Sequence, residues 1–193
     1  MKRQHQLVLI GSTLVFSWLA MHAVHELGHV IGALLSGGQV AQVVLHPAKI
    51  SQTRLSENPH PRFVAWMGPM FGSALPAAML LVARIANSRG WYVLQFFAGF
   101  CLVANGAYLA FGSTGRIGDA GDLLRHGAAP MLLWLFGLVT IPTGLWLWNG
   151  LGPHFGLSSS GRVDRAVAYV MLTLVVVLIV LELAFASSLQ GTS

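Results

Sequence analysis

Long apolar runs separated by short polar breaks dominate this chain. The runs cover residues 7–35, 63–85, 91–111, 130–148 and 163–186. At a helical rise of 1.5 Å per residue, each is long enough to cross a hydrocarbon layer of about 30 Å. Turn-forming residues mark the breaks: Ser36-Gly37-Gly38 makes a C-cap for the first helix, residues 87–90 a tight connection, and residues 156–161 a flexible loop. The break at residues 39–62 differs. Residues 40–45 and 50–55 have strand-like composition and are separated by His46-Pro47, which predicts a short hairpin or extended edge. The pattern therefore predicts an all-α integral membrane protein with about five transmembrane helices and a short hairpin after the first. No repeat, heptad array or second domain is visible, so residues 1–193 read as one polytopic membrane domain.

Composition agrees. Charged residues make up 9% of the chain and hydrophobic ones 55%, whereas soluble proteins carry about 25% charge. The net charge of +5 does not point to nucleic acid, because the eleven basic residues are scattered singly among loops. They also leave the orientation open. Lys2, Arg3, Arg84, Arg89, Arg162 and Arg165 fall on the N-terminal side, and Lys49, Arg54, Arg62, Arg116 and Arg125 on the other. Lys2 and Arg3 before an apolar run resemble a secretory signal. No small-x-small site follows, however, and a cut near Ala23 would leave residues 25–29 at a frayed end, so one long uncleaved helix is expected. Cys101, alone in the chain, reads as a small packed residue.

Polar residues inside the apolar runs carry the chemistry. The first run contains His25-Glu26-Leu27-Gly28-His29, an H-E-x-x-H motif. Histidines four apart share one helix face and can both reach one zinc ion, while the intervening glutamate can take a proton from water beside the metal. A charged side chain at membrane depth is unfavourable by at least about 2.5–3.5 kcal/mol, so Glu26 between two histidines calls for a reason. Gly28 and Gly32, and Gly68 and Gly72 beside Pro69, have the G-x-x-x-G spacing that lets helices approach closely, and Pro69 is expected to bend its helix. Asn105 lies deep in the third run, either holding a neighbouring helix or holding a substrate carbonyl.

A catalytic zinc needs a third protein ligand and an open position. The chain emerges on the side of His25 and His29 again after the third run, where Asp119 and Asp122 stand in Gly118-Asp119-Ala120-Gly121-Asp122. Asp122 would make a good N-cap for a short helix at residues 123–125, which favours Asp119 and leaves Asp122 as the alternative. His22 reads as lining the polar face or as a substitute ligand. His46, His60, His126 and His154 read as loop or interfacial residues, and Glu182 as reaching to the membrane interface.

These residues resemble the site-2 protease type of intramembrane zinc metalloprotease. The resemblance lies in His25-Glu26-Leu27-Gly28-His29, the small residues leading to Gly37-Gly38, the extended segment, Gly68-Pro69, and a carboxylate after the third helix. It implies that His25 and His29 bind zinc, that Glu26 is the catalytic base and that a later aspartate completes the site. The family's Asn-Pro…Leu-Asp-Gly pattern is absent. Asn105 has no proline after it, and the Gly-Asp-Ala form found in small bacterial relatives favours Asp119. The catalytic core is then about residues 7–127, with C-terminal helices at 130–187 and no accessory domain. The expected activity is cleavage of membrane-embedded protein or peptide substrates in a bacterial cytoplasmic membrane, with the Val40–Leu55 stretch offering a strand edge to an unwound substrate. The other reading is a non-proteolytic metal-binding membrane protein, a transporter or scaffold. It is disfavoured by the clustering of polar groups in one place.

Overall fold

The computed structural model describes residues 2–48, 50–158 and 161–188. Its elements are α1 (Lys2–Leu35), β1 (Gln39–Val44), β2 (Gln52–Glu57), α2 (Pro61–Ile85), α3 (Trp91–Gly115), α4 (Gly118–Arg125), α5 (Pro130–Trp148), a 3₁₀ turn (Gly152–Phe155) and α6 (Arg165–Ser188). Among the described residues α1, α2, α3, α5 and α6 are long and apolar enough to cross a membrane, and β1 and β2 form one antiparallel hairpin. This is the expected all-α membrane architecture with a short hairpin after the first helix. The strands sit slightly off the expected ranges, and Ile50 is exposed rather than paired.

Small residues decide which helices meet. A Cβ added at Gly28 would lie 2.4 Å from the Met67 carbonyl oxygen, and one at Gly32 would lie 2.8 Å from the Met67 side chain, so α1 and α2 cross in near backbone contact. The same device joins α3 to α5. A Cβ at Gly144 would lie 2.6 Å from the Gly99 oxygen, and one at Gly137 would lie 2.9 Å from the Gly106 oxygen. In lipid, where apolar contact alone gives helices little reason to associate, such close approach supplies the packing. The helix α2 runs on through Pro69 and Pro76, both buried. The third helix thus sits between α2 and α5, and α6 lies along α1.

That last pairing corrects one expectation. Glu182 is not turned outward: it is 4% exposed, and its Oε2 has no hydrogen-bond partner among the described residues. Ala168, Met171, Val175 and Glu182 are buried at spacings of three, four and seven, so helical period places Glu182 on the packed stripe of α6.

Two polar ties fasten the end of the bundle opposite the histidine motif. Gln6 Nε2 donates to the Phe155 and Gly156 carbonyls at 3.1 and 2.8 Å. Asp164 caps α6, with Oδ1 accepting from the Ala166 amide at 3.0 Å while Oδ2 pairs with Arg89. Burial alone would raise the Asp164 carboxyl, but the hydrogen bonds from Arg89 and the α6 amides hold it below the ordinary carboxylate range. Replacing Asp164 with Ala should destabilise the protein by about 1 kcal/mol, a typical N-cap loss, read as a lower thermal midpoint in detergent. A carboxyl whose pKa falls on folding contributes its stability above the unfolded value and loses it as pH falls through the folded one. The gap between wild type and Asp164→Ala should therefore be full at neutral pH and close in acid.

Candidate metal centre

Two histidines on one turn of α1 begin the site. His25 and His29 are both buried, and their Nε2 atoms are 3.2 Å apart. Each ring is fixed from behind through Nδ1. His29 Nδ1 lies 2.9 Å from the Val64 carbonyl oxygen, which can only accept, so His29 carries its proton on Nδ1. His25 Nδ1 lies 2.7 Å from Asn105 Oδ1, and the orientation of that amide is set by its Nδ2 donating to the Cys101 carbonyl at 2.9 Å. Both Nε2 atoms therefore present lone pairs to the same point.

The third group arrives from α4. Asp119 Oδ2 lies 2.8 Å from His25 Nε2 and 3.2 Å from His29 Nε2. One ligand atom from each of His25, His29 and Asp119 falls within 4.8 Å of the other two. With both imidazoles neutral, two Nε2 lone pairs and a carboxylate oxygen converge on one point, an arrangement that suits a cation. The N, N, O donor set is one zinc accepts. Room for it depends on Gly68, where a Cβ would lie 2.3 Å from His29 Nε2 and 2.9 Å from His25 Nε2.

Local sequence explains how α4 delivers its carboxylate. The chain reverses at Arg116 (φ 53°) and Gly118 (φ 52°). A side chain at Gly118 would be strained and would strike the Tyr108 hydroxyl, and one at Gly121 would lie 2.2 Å from the Arg116 oxygen. Ala120, fully buried between these glycines, packs toward Gly112. Tyr108 then accepts from the Asp119 amide at 3.1 Å and sets its ring edge-to-face against His25, with centroids 5.8 Å apart.

The remaining candidates fall elsewhere. Asp122 does not cap a helix, because α4 already begins at Gly118 after Ile117; it pairs with Arg125 on the exposed face and is not among the grouped ligands. Asn105, 1% exposed, meets His25 Nδ1 through Oδ1 and donates to the Cys101 carbonyl through Nδ2, so it orients an imidazole. His22 sets its ring against Trp18, His46 accepts from the Ala48 amide, His126 bonds the Asp122 carbonyl at the end of α4, and His154 stacks on Tyr92. His60 is the residue before α2.

Glu26 is 4% exposed and faces the hairpin: Ser51 Oγ donates to its Oε1 at 2.8 Å and Thr53 Oγ1 to its Oε2 at 2.6 Å. Neither hydroxyl was anticipated from the sequence. The alternation at Ser51, Thr53 and Leu55 was the available signal, but it does not say which helix the strand faces.

The sequence profile of the family described as Peptidase M50B-like matches residues 6–109, just over half of the chain. This chain belongs to the Peptidase M50B-like family. No curated protein and no solved structure is significantly similar to it. The family match contains His25, Glu26, His29, Gly68 and Asn105 and ends before Asp119, whose place beside the histidines is known from the three-dimensional arrangement alone. Membership and the five apolar helices make this M50B-like chain an integral, multi-pass membrane protein of a peptidase family.

Replacing Gly118 with Ala tests the turn. Strain of about 1–3 kcal/mol should lower the thermal midpoint. Amide exchange should rise selectively across residues 118–125, read by hydrogen–deuterium mass spectrometry.

Proposed function

We propose that this M50B-like protein is a zinc-dependent intramembrane endopeptidase, with His25, His29 and Asp119 holding the metal and Glu26 acting as general base. The observation that carries the reading is the convergence of His25 Nε2, His29 Nε2 and Asp119 Oδ2 one helical position from a buried glutamate. A zinc ion bound there would polarise a peptide carbonyl and bring the pKa of a water toward about 7.

The chain's own groups do the rest. Asn105 and the Val64 carbonyl hold the imidazoles in the tautomer that leaves Nε2 free, an anchoring typical of metal-binding histidines. Glu26 takes a proton from the attacking water and returns it to the amine that leaves when the peptide C–N bond breaks. Peptide groups in a transmembrane helix are shielded by their own hydrogen bonds, so the substrate is a membrane-embedded segment that unwinds to reach the site. The hairpin, packed beside Glu26, offers it a strand edge.

Purified wild-type protein should hold one zinc per chain by metal analysis and cleave labelled casein, an unfolded probe substrate. Asp119→Ala should lose the metal, whereas Asp122→Ala should keep both metal and cleavage. Glu26→Gln should retain zinc while turnover falls by roughly 10²–10⁴-fold, the usual contribution of a general base. Zinc retained at full occupancy in Asp119→Ala would remove Asp119 from the ligand set, and undiminished cleavage in Glu26→Gln would refute the base.

A further inference from the structure

Glu26 has three side-chain torsions and sits in a buried setting, so something outside α1 must aim it. Among the described residues its carboxylate accepts hydrogen bonds only from Ser51 and Thr53, one on each oxygen. Both donors stand on the same face of one extended segment. Ser51, Thr53 and Leu55 are half-buried, while Gln52, Arg54 and Ser56 point outward. The register fixes that face, with Thr53 opposite Val43 and Leu55 opposite Val40.

We propose that Ser51 and Thr53 are positioning residues for the base, the hairpin holding Glu26 by both oxygens in the direction proton transfer requires. The inference rests on the reading of Glu26 as that base. A carboxylate offers about four lone-pair positions, and two hydroxyls leave the others for water. Hydrogen bonds to an ionised acceptor are short and directional, and the 2.6 Å contact from Thr53 falls in that class. Neither hydroxyl touches His25, His29 or Asp119, so metal binding and base alignment are separately adjustable.

The test uses the full chain in detergent, with labelled casein as the probe substrate. Ser51→Ala combined with Thr53→Val should keep one zinc per chain and an unchanged KM, while kcat falls roughly 10–100-fold, part of the 10²–10⁴ a general base contributes. Ser51→Thr and Thr53→Ser, which keep the hydroxyls, should each stay within about threefold of wild type by the same scale. Infrared spectra of protein labelled with ¹³C-glutamate give a readout independent of turnover. The Glu26 carboxylate band, assigned by its loss in Glu26→Gln, should shift when both hydroxyls are removed. An unmoved band, an unchanged or increased kcat, a loss confined to KM, or Thr53→Ser as impaired as Thr53→Val would each overturn the proposal. A base reading that is itself wrong announces itself differently: Glu26→Gln then turns over normally even though the band still moves.

Discussion

Three acceptor atoms forced into one small space are what the rest of this protein is arranged around. The Nε2 atoms of His25 and His29 stand 3.2 Å apart with the Asp119 carboxylate against both. Such a cluster repels itself unless a positive charge sits within it, and in a membrane interior little water is present to soften that. Holding it together requires the rings to be pinned from behind, which Asn105 does from α3 and the Val64 carbonyl from α2. The absence of side chains is as important as their presence. Gly68 clears the metal side of both imidazoles, and a Cβ at Gly72 would lie 2.9 Å from Asn105 Nδ2, so α2 must be bare along one stripe to sit where it does.

The carboxylate and the histidines are separated by 94 and 90 residues of chain, so the site is only as well defined as the packing between them. The third helix is the strut. It gives His25 its partner through Asn105, supports Asp119 through the Tyr108 hydroxyl, and is braced by α5 where Gly99 and Gly106 meet Gly144 and Gly137. Helix α5 contributes no side chain to the metal centre, yet it fixes the helix on which two supporting residues stand.

Sequence carried the reader far in this case because membrane helices announce themselves. A span needs an apolar run, and two histidines four apart on a helix must share a face, so the bundle and half of the centre could be read directly. Asp119 was reachable by counting crossings, which brings the chain back to the correct side but does not distinguish Asp119 from Asp122. That choice was made by the turn at Arg116 and Gly118, which starts α4 early and sends Asp122 toward Arg125. Glu182 was misplaced because distance from the helix end suggests an exit, whereas the stripe shared with Met171 and Val175 decides the direction. The hydroxyls on Glu26 were invisible for a different reason: a strand's faces follow from its own alternation, but the object it packs against depends on how the hairpin folds back over α1.

Electrostatics closes the account of why the site holds these acidic groups and no more. The chain has six acidic residues; Asp119 groups with the two histidines, and Glu26 follows His25 directly on α1. Under the proposed function, a divalent cation held by His25, His29 and Asp119 would face two carboxylates and two neutral imidazoles, a cluster with no net charge. Neutrality matters because an uncompensated charge at this depth is strongly unfavourable, and an ion pair is tolerated only when its hydrogen bonds are also made. Ser51 and Thr53 supply those bonds to Glu26. The two hydroxyls on the inner face of the hairpin thus have a reason to be there: they complete the solvation of a carboxylate that the surrounding bilayer cannot solvate.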